Sequence, residues 1–124
     1  MLTFNFNKWN TILGWTTFAI ALITYSITVE PTMSFWDCGE FIATAYKLEV
    51  GHPPGAPFFM ILGRFFTLFA GGNTLAVAGT MNVLSALASA FTILFLFWTI
   101  THLVKKFYSN TGTYNLSELI TILG

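Results

Sequence analysis

Charge is what this sequence has least of. Only 8% of its 124 residues are Asp, Glu, Lys or Arg, against about 25% in an ordinary soluble domain. Five basic residues balance five acidic ones, so the net charge is zero. A nucleic-acid binder needs a basic excess to neutralise phosphates, and that class is excluded. A disordered tail needs low hydrophobicity and high net charge, and that is excluded too. A single cysteine, Cys38, forbids an internal disulfide framework and any CxxC metal knuckle. There is no P-loop, no Rossmann fingerprint and no nucleophile elbow. What is present in quantity is apolar surface: 55% hydrophobic and 18% aromatic residues. The composition is that of a membrane-embedded chain.

Two long apolar runs carry that surface. Residues 12–29, ILGWTTFAIALITYSITV, contain no charge. At about 1.5 Å per residue they reach roughly 27 Å, close to the hydrocarbon thickness of a bilayer. Trp9, Trp15 and Tyr25 stand near the ends, where interfacial anchors belong. A cleaved signal peptide fits less well, because only Lys8 precedes the run and no small-x-small site follows it. The second run, residues 75–104, ends in Lys105 and Lys106 and has no charge between Val83 and Leu103. Asn82, Ser85 and Ser89 recur at helical spacing, which is either a contact stripe for other spans or ordinary tolerance of small polar residues. Residues 115–124, NLSELITILG, read as the start of a third span. The expectation is therefore an all-α integral membrane fold: the N-terminal piece of a polytopic protein, with two spans and the beginning of a third. Lys8, Lys105 and Lys106 flank the spans, so the positive-inside rule puts both ends in the cytoplasm and the loop between outside.

That loop, residues 30–73, is too long and too patterned for a simple connector. Asp37, Glu40, Lys47 and Glu49 would cost roughly 10 kcal/mol to bury in hydrocarbon, at about 2.5–3.5 kcal/mol per charge, so the loop does not span. Ser34 and Asp37 in SFWD read as a capping box that opens a helix over about 35–48. Its polar face would be Asp37, Glu40, Thr44 and Lys47. The turn Gly51-His52-Pro53-Pro54-Gly55-Ala56-Pro57 cannot be helical, with three prolines in five residues. A second short helix over 57–69, PFFMILGRFFTLF, would lie at the membrane surface with Arg64 in it.

Each ionisable residue here has a bland reading. Asp37 can serve only as a cap, Glu40 as a partner of Lys47 or Arg64, His52 as a turn hydrogen-bonder, Arg64 as a snorkelling cation and Cys38 as a packing residue. Together, an acid pair at i, i+3 and a histidine in a rigid turn form a candidate site in a membrane-anchored loop. A carboxylate near a bound hydroxyl can act as general base. No metal-ligand spacing stronger than Asp37/Glu40/His52 occurs, and no metal is predicted.

The stretch SFWDCGEFIATAYKLEVGHPPGAPFFMILGRFF, above all its pairing of WDxGEF with GHPPG, resembles a family of bacterial membrane proteins, chiefly of the Bacteroidota. That family is described as a domain of unknown function and is allied to transmembrane protein O-mannosyltransferases and, through them, to the GT-C glycosyltransferases. The resemblance covers most of the chain. It implies a multi-helix bundle in the inner (cytoplasmic) membrane, with an acidic motif in a first periplasmic loop. It also implies a sugar donor, mannose or another hexose, carried on polyprenyl phosphate, and acceptor hydroxyls on exported proteins or glycans. On this implication Asp37 lies at the active site, with Glu40 its neighbour, and orients or deprotonates the acceptor hydroxyl; our own inference beside it is that His52 and Arg64 contact the lipid phosphate. The partners implied are membrane lipid, the lipid-linked donor, the acceptor and the remaining transmembrane helices; the piece alone would be inactive. Two other classes compete. A non-catalytic subunit or scaffold would use the acidic loop to dock a partner. A transporter would carry acids near the bilayer midplane, and both complete runs lack them.

Overall fold

The computed structural model describes residues 5–109, and every regular element among them is helical. Four α-helices follow one another: α1 (Phe6–Thr28), α2 (Cys38–Lys47), α3 (Pro57–Thr67) and α4 (Thr74–Ser109), with a 3-10 turn, Leu68–Ala70, ending α3. The third apolar segment, residues 115–124, lies outside the described residues.

Helices α1 and α4 are the two elements long and apolar enough to cross a membrane. Both exceed the expected spans, 12–29 and 75–104, at one or both ends. Twenty-three residues give α1 about 35 Å, and thirty-six give α4 about 54 Å. Only 6% of the most apolar stretch of α1 is buried within the protein, and 22% of that of α4. A soluble protein would cover such surface, so its exposure marks a membrane-associated chain. The short loop helices begin later or end earlier than the expected 35–48 and 57–69, for reasons that lie in the turn chemistry.

The described residues form two compact units, residues 5–21 with 90–109, and residues 22–89. In the first, the start of α1 and the end of α4 pair antiparallel. Lys105 Nζ donates to Asn7 Oδ1 at 3.1 Å and lies 5.0 Å from the Phe6 ring. Deeper along the pair, Trp15 meets Trp98 edge-on at 6.0 Å, and Phe18 meets Phe91 at 4.7 Å. Gly14 is buried with the Trp98 indole directly over it, leaving no room for a Cβ.

The second unit holds the loop. Its core is Ala45 of α2, Met60 of α3 and Met81 of α4, with Phe41, Ile42, Ala56 and Phe59 packed around it. Pro57 opens α3 at a position where its missing N–H is not needed. The buried residues of α3, Met60, Gly63 and Thr67, recur at three and four and so share one face. Phe58, Ile61 and Phe65 form the opposite, exposed stripe. Asn82 has a role the small-residue stripe did not disclose. Its Nδ2 donates to the backbone carbonyls of Glu30 (2.5 Å) and Thr32 (2.9 Å), fixing the segment that leaves α1. Ser85 bonds only within α4, to the Met81 carbonyl at 3.3 Å.

Gly63 is the closest approach in this core. A Cβ there would come to 2.9 Å from Ala45 Cβ and 2.7 Å from Met81 Cε. Gly63→Ala is expected to destabilise the α2–α3 packing by about 1–3 kcal/mol through overpacking. A lowered thermal midpoint of the detergent-purified protein checks this; an unchanged midpoint would show that α2 and α3 are not pressed together there.

Candidate functional site: a carboxylate–imidazole cluster

The entry to α2 differs from the expected capping box. The helix starts at Cys38, so Asp37 itself occupies the N-cap position, with φ −73° and ψ 0°, and its side chain makes no capping hydrogen bond. Ser34 is not the cap, because Trp36 (φ 62°) adopts a left-handed conformation that turns the chain immediately before the helix. For a bulky aromatic this is a strained backbone state. The turn leaves the Trp36 side chain exposed and the Asp37 carboxylate free of the helix amides. Cys38 is also exposed, so the packing role expected for it is not realised.

The polar face of α2 is narrower than expected. Thr44 is buried: its Oγ1 donates to the Glu40 carbonyl at 2.7 Å and lies 3.2 Å from Met60 Sδ. Lys47 stands beside Glu49 at 3.9 Å, an exposed pair of small energetic weight. Leu48 ends the helix in a left-handed conformation (φ 54°), and Glu49 N–H donates to the Thr44 carbonyl at 2.9 Å. This reversal sends the chain back along α2 toward its N-terminus.

That return brings His52 to the acids. Glu40 grips it twice: Oε1 accepts the His52 backbone N–H at 2.7 Å, and Oε2 lies 2.7 Å from His52 Nδ1. The other ring nitrogen, Nε2, faces Asp37 Oδ2 at 4.0 Å. The Phe41 ring flanks the imidazole edge-on, with centroids 6.3 Å apart. The glycines of the turn are explained by this arrangement. A Cβ on Gly51 would lie 3.2 Å from Glu40 Oε1, crowding the carboxylate that holds His52. Gly55, at φ 70°, closes the turn by donating its N–H to the His52 carbonyl at 3.0 Å. Glu40, Phe41, Thr44, Gly51, His52, Gly55 and Met60 line a shallow cleft.

Asp37, Glu40 and His52 are thus brought together, whereas Arg64 is held at the far end of α2. Its Nη1 donates to the Tyr46 carbonyl at 2.5 Å, and the guanidinium lies over the Tyr46 ring at 5.4 Å. Glu40 therefore pairs with neither Lys47 nor Arg64. Among the described residues, no group of three or more His, Cys, Asp or Glu side chains is arranged to hold a metal ion. Trp36 is the residue beside the cluster that the sequence reading passed over. Its only sequence signal was its position next to Asp37, since nothing local announced the left-handed turn.

The two partners shift each other's protonation. The hydrogen bonds from the His52 backbone N–H and ring lower the Glu40 pKa from its ordinary value. The Glu40 hydrogen bond and charge, with a lesser contribution from Asp37, raise that of His52. Because the raised imidazole gains stability from its charged partner, its contribution is complete below the ordinary histidine value and is lost as pH rises through the raised one. Glu40 acts in the opposite sense: its contribution is complete above the ordinary carboxylate value and is lost as pH falls through the lowered one. The turn should therefore be most ordered in the mildly acidic window between them. Protection of the Gly51, His52 and Gly55 amides against hydrogen exchange, corrected for the intrinsic rate at each pH, is expected to be greatest there and to fall on both sides; Glu40→Gln should flatten the profile.

The geometry defines a helical, membrane-associated protein with a carboxylate–imidazole cluster in the segment linking two membrane-length helices. Comparison with known proteins gives that class a family. The model of the protein O-mannosyl-transferase TMEM260 N-terminal domain matches residues 37–124, and the chain belongs to this family. The protein O-mannosyl-transferase tmem260 of Dictyostelium discoideum is 36% identical over 83 residues, covering 67% of this chain and 10% of the relative. The protein O-mannosyl-transferase TMEM260 of Mus musculus is 36% identical over 84 residues, covering 67% of this chain and 12% of the relative. The chain therefore spans about a tenth of the length of these relatives. No solved structure matches it.

Proposed function

We propose that this chain is the acceptor-activating part of a polytopic GT-C-type glycosyltransferase. The enzyme would move a hexose, mannose before others, from polyprenyl phosphate to hydroxyl groups of exported proteins or glycans. The observation that carries the reading is the meeting of Asp37, Glu40 and His52 in a loop between two membrane-length helices. Membership of a protein O-mannosyltransferase family supports the reaction class.

Transfer with inversion needs two things on the acceptor side: removal of the hydroxyl proton, and negative charge near the sugar carbon as positive charge builds there. Asp37 is suited to orient the hydroxyl and to supply the negative charge, because its carboxylate bonds no helix amide and faces the His52 ring. A bacterial inner membrane, with the loop in the periplasm, is the proposed setting. The contact of Lys105 with Asn7 supports that orientation, since it gathers Lys8, Lys105 and Lys106 at one end of the helix pair. The donor pocket and the rest of the bundle would be supplied by further helices of the same protein.

Asp37→Asn in the full-length protein tests the reading. Membranes matched for expression are incubated with radiolabelled polyprenyl-phosphate hexose and exported acceptor proteins. Transfer is expected to fall by about 10²–10⁴-fold, with helix stability nearly unchanged because Asn also suits an N-cap. Equal transfer by wild type and variant would reduce Asp37 to a helix-start residue. Absence of transfer by both, across several hexoses, would favour a scaffold whose loop docks a partner.

A further inference from the structure

The phosphate contact inferred from the sequence for His52 fits poorly with an imidazole facing two carboxylates. An anion brought to that ring would meet the charges of Asp37 and Glu40. We propose instead that His52 Nε2 is the proton acceptor for the attacking hydroxyl, with Glu40 as the residue that positions it. This inference rests on the glycosyl-transfer reading and concerns where the proton goes in that reaction.

The first argument is geometric. Glu40 fixes both the backbone and the ring of His52, through two contacts of 2.7 Å from its two carboxylate oxygens. A carboxylate at Nδ1 holds that nitrogen as the N–H donor in the neutral ring, which leaves the lone pair on Nε2. Nε2 therefore points outward as a base of defined direction, and it points toward Asp37. The 4.0 Å between Nε2 and Oδ2 is too long for a direct hydrogen bond. A hydroxyl oxygen lying off the line between them can come within hydrogen-bond distance of Nε2. Asp37 then stands beside the imidazolium that forms and stabilises its charge.

The second argument is chemical. Imidazole is the side chain whose basicity matches neutral pH, as a general base requires. The groups facing His52 are few. Glu40 lies on α2 and Asp37 immediately before it, while α3 contributes the uncharged Met60 to the cleft. Arg64, the one charged residue of α3, is bonded to Tyr46.

The step balances as follows. The acceptor oxygen forms a bond to the anomeric carbon of the hexosyl phosphate. The bond from that carbon to the phosphate oxygen breaks, and its electron pair leaves with polyprenyl phosphate. The hydroxyl proton moves to Nε2, giving an imidazolium between two carboxylates that later releases the proton to water.

Two measurements on the full-length protein in lipid nanodiscs test this. Diethyl pyrocarbonate acylates only neutral imidazole, so the pH profile of its labelling at His52, read by peptide mass spectrometry, reports the ring's titration without any need for activity. The second measurement is the pH dependence of kcat for hexose transfer. The acidic limb of kcat is expected to share the midpoint of His52 labelling, and Glu40→Gln should move both midpoints downward together. His52→Gln should lower kcat by about 10²-fold or more, with KM changed only a few-fold, and should abolish the limb. If Glu40→Gln moves the labelling but not the limb, or if His52→Gln keeps more than a tenth of kcat, the proposed role is overturned. If wild type transfers no hexose while labelling still responds to Glu40, the glycosyl-transfer reading has failed and the proton-acceptor role falls with it, although the Glu40–His52 pair stands.

Discussion

The two-point hold of Glu40 on His52 is the contact on which the loop's architecture depends. It joins residues twelve apart, and it joins them through the backbone as well as the ring. Without it, the proline-rich turn would be attached to α2 only through the reversal at Leu48 and the apolar contacts of α3. With it, the turn is laid back against the start of the helix and the imidazole has one orientation. The exposed setting of the cluster limits how much such a pair can add to global stability. Its contribution is local: it decides where one ring nitrogen points.

Packing beneath the cluster serves that placement. Ala45, Met60 and Met81 bring one residue from each of three helices together, and Gly63 allows the approach by presenting no side chain. Thr44 is drawn into this contact, which is why the polar face of α2 is reduced to its first turn. Asn82 anchors the segment that leaves α1 by donating to two of its carbonyls.

The chemistry and the membrane setting bear on one another. The segment that carries the cluster belongs to a membrane-associated chain. It lies between α1 and α4, which leave most of their apolar surface uncovered. The exposed stripe of α3, with Phe58, Ile61 and Phe65, adds uncovered apolar surface on the face opposite its packed one. The stretch matched in the curated relatives is about a tenth of their own length.

The sequence by itself determined the elements that follow from local composition. Charge-free runs of membrane length dictated α1 and α4, because few other structures suit so apolar a stretch. The prolines of GHPPGAP dictated a break and Pro57 a helix start, since proline fixes its own backbone. The acids and the histidine were legible as candidates, but their grouping was not. Ser34 and Asp37 matched a capping box and Thr44 a polar stripe, yet a left-handed Trp36 and the Met60 contact overrode both. Only the tertiary structure decided that Glu40 holds His52, that Asp37 stays free of the helix and that Arg64 braces Tyr46. The hold on His52 and the place of Arg64 follow the direction in which the chain returns after Leu48, and the free Asp37 follows the left-handed turn at Trp36; residue spacing encodes neither.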